Sequence, residues 1–171
     1  MTRFRIEPLN DHHDRSGFNS SSPLLDRYFQ TQVTQDVRRV VTTCFVAVSI
    51  EDSAVAGFYT LSAGSVVLSD LPPEVARKLP RYPAVPVVRI GRLAVAQRLE
   101  GQKLGAALLW DAARRALSSP VSGFALVVDP KDDHAAAFYG HHGFRPLGGD
   151  APQLFLLLAT LRTLLPGTSP A

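Results

Sequence analysis

The chain has 171 residues, 46% of them hydrophobic, enough to bury one proper core and too few for two domains of ordinary size. Its single cysteine, Cys44, excludes an internal disulfide, and its longest apolar run, Leu154 to Ala159, is far too short to span a bilayer. The opening Met-Thr-Arg-Phe-Arg-Ile-Glu is charged where a secretion signal is apolar, which places the protein in the cytoplasm.

The formal net charge of +3 is unevenly spread: from Arg77 to Arg115 there are nine Lys or Arg against two acids, Glu100 and Asp111. Such a region suits a polyanion, either a phosphate-bearing cofactor or nucleic acid, and equally suits a solvated helix face.

Phe4 to Pro8 reads as an opening strand and Asp11 to Ser22 as a polar loop. Ser22-Pro23 then starts a helix, serine as cap and proline in the first turn, with Leu24, Leu25, Tyr28, Phe29 and Val33 on its core face. Val40 to Ser49 and Ala54 to Leu61 are two strands of a hairpin turned by Ile50-Glu51-Asp52-Ser53; the second extends toward Leu68 or bends near Gly64. Cys44 lies in the first as a buried structural thiol. Leu71-Pro72-Pro73 opens a short helix through Leu79, and Pro80, Pro83 and Pro86 punctuate a loop. A strand at Val87 to Val95, a helix at Leu104 to Leu117, a strand at Phe124 to Val128 and a helix at Asp133 to His142 follow. Gly143 stops that helix. A final strand pair lies near Phe144 to Leu147 and Leu154 to Leu158, and residues 166–171 form a frayed tail. The order predicts a mixed α/β fold around one sheet, a single domain over residues 1–165.

The chemistry concentrates in two places. Gly91-Arg92-Leu93-Ala94-Val95 ends a strand and runs through Glu100-Gly101-Gln102-Lys103-Leu104-Gly105 into a helix, an order that offers unpaired backbone N–H groups to a pyrophosphate. About thirty residues on comes Phe138-Tyr139-Gly140. The five histidines, His12, His13, His134, His141 and His142, show no metal-ligand spacing, so no metal is expected. His141 or His142 complements the dipole at a helix end.

This pattern resembles the GNAT superfamily of acyl-CoA N-acyltransferases over nearly the whole chain. A narrower set is similar to the GNAT toxins of bacterial toxin-antitoxin pairs. It comprises Asp14-Arg15-Ser16-Gly17-Phe18, Leu24-Leu25-Asp26-Arg27-Tyr28, Gly57-Phe58-Tyr59-Thr60-Leu61-Ser62, Lys78-Leu79-Pro80-Arg81-Tyr82-Pro83, Gly91 to Val95 and Ala137-Phe138-Tyr139. The resemblance implies a mostly antiparallel sheet flanked by helices, with two central parallel strands splayed to admit the pantetheine arm of acetyl-CoA. It further implies acetylation of the α-amino group of aminoacyl-tRNA, with inhibition of translation, a ribbon-helix-helix antitoxin, and pairing into homodimers.

By the same resemblance, the acetyl-CoA contacts are Leu93, Ala94, Val95, Glu100, Gly101, Gln102, Lys103, Leu104, Gly105, Ala106 and Phe138, and Tyr139 is the catalytic acid for the leaving thiolate. The loop departs from the family pattern: Glu100 adds no cation, and Lys103 stands where glycine is usual. Backbone donors from Gln102 to Ala106 serve phosphate if the turn stays right-handed. Arg77, Lys78, Arg81, Arg89 and Arg92 are the tRNA candidates, meeting phosphate and 2′-hydroxyl groups. Arg92 as a salt bridge beneath the sheet and Tyr139 as a packing aromatic are the competing structural roles; Arg114 and Arg115 form a solvated face. Two other functions fit the residues: an acetyltransferase for a protein N-terminus or a small amine, and a non-catalytic CoA-binding or DNA-regulatory module.

Overall fold

Seven strands form one mixed sheet in the order β1-β2-β3-β4-β5-β7-β6, mostly antiparallel with one parallel pair. The strands are β1 (Phe4–Pro8), β2 (Thr43–Ser49), β3 (Val55–Val67), β4 (Ala84–Val95), β5 (Ala125–Val128), β6 (Arg145–Pro146) and β7 (Leu154–Leu157). The helices are α1 (Pro23–Thr31), α2 (Val33–Arg38), α3 (Pro73–Ala76), α4 (Leu104–Ser118), α5 (Asp133–His141) and α6 (Leu158–Leu164). The computed structural model describes residues 3–164; the tail expected at 166–171 lies outside them. By contact density the chain falls into two units, Met1–Ser62 with Gly91–Ala112, and Ala63–Ile90 with Ala113–Ala171.

In the first unit, β1 pairs antiparallel with β2, and β2 with β3 across a bulge at Ala47/Val48. Ser22 caps α1 through its side chain, with Pro23 in the first turn as expected. The core is aromatic: the Phe29 and Phe58 rings stack at 4.2 Å, and Phe18 meets both edge-on. In the second unit, β5 pairs antiparallel with β7, and β7 with β6. β5 lies parallel to β4 from Val88↔Leu126 to Ile90↔Val128, after which β4 runs on to Val95. Val66, Val85, Val87, Val127 and Phe155 are among its buried core residues.

Several boundaries moved for identifiable reasons. The expected single helix from Ser22 is two, broken at Gln32, and the strand expected from Val40 begins only at Thr43. Val40 has φ 59°, a rare state for a β-branched residue, and lies 90% exposed at the helix exit. The helix expected through Leu79 stops at Ala76, while Pro86 sits inside β4 rather than in a loop. The last strand ends one residue early because Leu158 starts α6, a helix the leucine-rich run did not announce as helical; β6 is only two residues long.

Candidate active site

The glycine loop opens onto α4 through two left-handed residues. Gly101 has φ 81° and Lys103 φ 64°. The turn is therefore left-handed rather than right-handed: Lys103 adopts the conformation that glycine would occupy without penalty, at a cost of about 1–3 kcal/mol. Lys103 is already part of the helix entry, since its carbonyl accepts the Ala107 N–H at 3.1 Å. Leu104 is buried and anchors the first turn, while Glu100, Gly101, Gln102 and Lys103 are exposed. Helix geometry leaves the N–H groups of Leu104, Gly105 and Ala106 without an intrahelical carbonyl. A side chain at Gly101 would meet no atom within 4 Å, so the space in front of the turn is open. An open left-handed turn before a fifteen-residue helix suits a pyrophosphate.

The strand end beside that loop is held from behind. A Cβ at Gly57 would stand 2.9 Å from the Ala94 carbonyl oxygen and 3.0 Å from Leu108 Cδ1, so only glycine lets β3 approach this closely. The Ala96 N–H donates to the Ala56 carbonyl at 2.8 Å. Ala94 is buried, and Leu93 and Val95 are half-buried.

Arg92 is built into a stacked arrangement that the sequence did not reveal. Its backbone N–H donates to Thr60 Oγ1 at 3.0 Å, and its guanidinium carbon lies 3.5 Å from the centroid of the Tyr28 ring. The Tyr28 hydroxyl donates to Asp36 Oδ2 at 2.9 Å, and Gln32 Nε2 donates to Asp36 Oδ1 at 3.2 Å. Burial and the Asp36 bond push the Tyr28 phenol up to about 12, against the pull of Arg92. The hydrogen bond from Tyr28, then that from Gln32, holds the Asp36 carboxyl below its usual range. Arg92 joins no ion pair among the described residues, so the alternative of a structural salt bridge gives way to cation–π stacking. No spacing rule links Tyr28, Thr60 and Arg92; only the fold brings them together.

In the second unit, Asp132 caps α5 by accepting the Ala135 N–H at 2.8 Å. Tyr139, on this helix, is 6% exposed, whereas Ala136 and Phe138 are only half-buried. The Tyr139 ring meets Phe138 at 5.1 Å and Phe144 at 5.3 Å, both edge-on. Its hydroxyl has no hydrogen-bond partner in the described chain. No fully buried side-chain oxygen there lacks one, so this hydroxyl reaches accessible space. Burial pushes the phenol well above its ordinary value. Burial, then the neighbouring His141 charge, lowers the His142 imidazole, whose ring packs on Phe138 at 4.9 Å.

The basic candidates differ in their surroundings. Arg89 pairs with Asp129 at 2.9 Å, leaving its charge partly neutralised, while Arg77, Lys78 and Arg81 are exposed. No group of three or more metal-ligating side chains is placed to hold an ion among the described residues.

A strand running into a left-handed turn and helix N-terminus, inside a seven-stranded mixed sheet, defines an acyl-CoA-type transferase architecture. The chain belongs to the acetyltransferase (GNAT) family, whose pattern it matches over residues 7–144. It is 36% identical over 159 residues, 92% of this chain and 93% of the other, to the tRNA-acetylating toxin of Mycobacterium tuberculosis (strain ATCC 25618 / H37Rv). Among solved structures it is similar to AtaT complexed with acetyl-methionyl-tRNAfMet, with TM-score 0.88, 27% identity, and 95% and 99% of the two chains covered. It is also similar to AtaTR bound with AcCoA, with TM-score 0.82, 28% identity, and 94% and 97% covered. A tyrosine-to-phenylalanine mutant of AtaT bound to the C-terminus of the antitoxin AtaR matches with TM-score 0.80, 25% identity, and 95% and 98% covered.

Proposed function

We propose that this chain transfers the acetyl group of acetyl-CoA to the α-amino group of aminoacyl-tRNA and so acts as a toxin that removes charged tRNA from translation. The observation that carries this reading is the end-to-end similarity to a tRNA-acetylating toxin, 36% identity over 92% of the chain. Residues 1–165 act as one acetyltransferase domain in the cytoplasm; among the described residues no helix is long and apolar enough to cross a membrane.

The residues take these roles. Backbone N–H groups from Gln102 to Ala106 hold the pyrophosphate, with Lys103 adding a cation, and Glu100 and Gly101 shape the turn. The backbone of Leu93, Ala94 and Val95 holds the acetyl carbonyl and pantetheine, and Phe138 packs against the cofactor. The α-amine of an aminoacyl ester is a weaker base than lysine and is largely neutral near pH 7, so it attacks the thioester carbon without a strong general base. As the carbon–sulfur bond breaks, Tyr139 gives its proton to the departing thiolate, and the new amide's surplus proton returns through solvent to restore the phenol. A phenol whose hydroxyl has no acceptor among the described residues is available to donate to an incoming group. Arg77, Lys78, Arg81, Arg89 and Arg92 meet the tRNA backbone. Neutralisation falls to a ribbon-helix-helix antitoxin, and the active species is a homodimer.

The test is incubation of the purified protein with labelled acetyl-CoA and total charged tRNA, in parallel with deacylated tRNA. Label confined to charged tRNA supports the reading and names the amino acid; label on neither, with acetyl-CoA still bound, overturns it in favour of a protein or small-amine acceptor. Gly101→Val tests the cofactor half. A β-branched residue at φ 81° distorts the turn, and the expected result is a KM for acetyl-CoA raised about tenfold at little change in the KM for tRNA.

A further inference from the structure

The second unit carries an open groove of about 620 Å³ between Leu68 and Pro83. Leu68, Ala76 and Leu79 line its floor and pack against the buried core of that unit, so the floor is fixed. Its wall is a short, braced loop. The Leu79 N–H donates to Ala76 at 3.1 Å, the Tyr82 N–H to Pro80 at 2.8 Å, and the Leu68 N–H to the Pro83 carbonyl at 3.2 Å, while Pro80 and Pro83 fix their own φ angles. On this loop Tyr82 stands 62% exposed, an unusual position for a large aromatic on a rigid turn. Around it Arg77, Lys78 and Arg81 are exposed and join no ion pair among the described residues; Glu74, the nearest acid in sequence, is paired with Arg145.

We propose that this loop is a capture site for the unpaired 3′ end of the tRNA acceptor, with the Tyr82 ring stacking on a nucleobase and Arg77, Lys78 and Arg81 holding the flanking phosphates. The inference rests on the tRNA reading above and specifies which part of the substrate is gripped. An exposed ring offers its face, and a base needs a face; an apolar peptide anchor needs a cavity that closes round it. Three exposed cations within five residues complement a strand carrying one phosphate per nucleotide. Aromatic stacking beside cations is the ordinary way proteins hold single-stranded nucleic acid, and base stacking is sequence-tolerant, which suits a terminus common to many tRNAs.

The experiment measures equilibrium binding of the full-length protein to a deacylated tRNA transcript and to the same transcript shortened by its unpaired 3′ nucleotides. Tyr82→Ala is expected to weaken binding of the intact transcript roughly five- to a hundredfold, while Tyr82→Trp and Tyr82→Phe keep it, because the ring and not the hydroxyl acts. The shortened transcript is expected to bind Tyr82→Ala and wild type alike. Arg81→Gln lowers the slope of affinity against salt by about 1, whereas Tyr82→Ala leaves that slope unchanged. Because Tyr82 is exposed, an unchanged thermal midpoint is the folding control. Intact-transcript binding by Tyr82→Ala at wild-type strength overturns the proposal. So does normal tRNA binding with lost binding of an acidic antitoxin peptide, which makes the groove a protein site. Failure of the wild type to acetylate any charged tRNA is a separate result, and it defeats the functional reading rather than the binding site.

Discussion

Tyr59 and Tyr139 are both buried against aromatic neighbours, yet their hydroxyls meet opposite surroundings. In the first unit Tyr59 is fully buried beside Phe45, and its hydroxyl donates to Asp111 Oδ2 at 2.6 Å. In the second, Tyr139 is 6% exposed between Phe138 and Phe144, and its hydroxyl has no acceptor among the described residues. A phenol donating to a carboxylate is committed to the fold. Under the proposed function, the buried phenol without such an acceptor gives its proton to an incoming group. Arg89 and Arg92 repeat the contrast three residues apart on β4: one is tied to Asp129, the other rests on the Tyr28 ring and joins no ion pair among the described residues. On the proposed function, pairing separates groups that hold the protein together from groups that meet a ligand.

The sharpest break in this comparison is Tyr139→Phe. Its kcat for acetyl transfer is expected to fall roughly 10²- to 10⁴-fold with acetyl-CoA affinity intact, read by steady-state kinetics and calorimetric titration. A mutant that binds acetyl-CoA normally and turns over at the wild-type rate ends the acid role. Tyr59→Phe is expected to do the reverse: kcat stays within a few-fold, while denaturant unfolding shows a loss of about 1–3 kcal/mol, because a hydrogen bond to a charged group is removed. If instead it abolishes turnover and spares stability, the two tyrosines have been assigned the wrong way round.

The arginine pair sharpens the same point more gently. Arg92→Gln is expected to raise the KM for charged tRNA several-fold more than Arg89→Gln does, since Asp129 already offsets the Arg89 charge. Equal effects would mean that pairing does not matter there. The smallest effect concerns pH. Because burial raises the Tyr139 phenol, it stays protonated through the ordinary tyrosine value of 10, and kcat is expected to show no falling limb there. The sign for stability agrees: the contribution of this phenol is fully present below pH 10 and is lost as pH rises from there through the raised folded value. A falling kcat limb at or below pH 10 that vanishes in Tyr139→Phe contradicts the burial effect.

Much of the fold was legible because local rules and packing agreed. Ser22-Pro23 capped and opened a helix, and the alternation of Phe4 to Pro8 gave a strand of the same bounds. Legibility failed where tertiary contacts overrode propensity. Val40 and Val41 have strong strand preference, yet both are exposed at the exit of α2. Pro86 reads as a loop residue but lies in β4, where its carbonyl still accepts the Phe124 N–H at 2.7 Å. Lys103 argued against a left-handed turn and adopts one all the same.

By itself, the sequence determined most of the order of elements, the glycine loop opening onto α4, the placement of Tyr139 on a short helix and the concentration of cations between Arg77 and Arg115. These depend on spacing and residue chemistry within a few turns of chain, which a linear reading can hold. Only the tertiary structure decided which of those groups are left free. The pairing of Tyr59 with Asp111, Arg89 with Asp129 and Arg92 with Tyr28 spans 52, 40 and 64 positions, and such partners are chosen by strand register and helix packing rather than by local pattern.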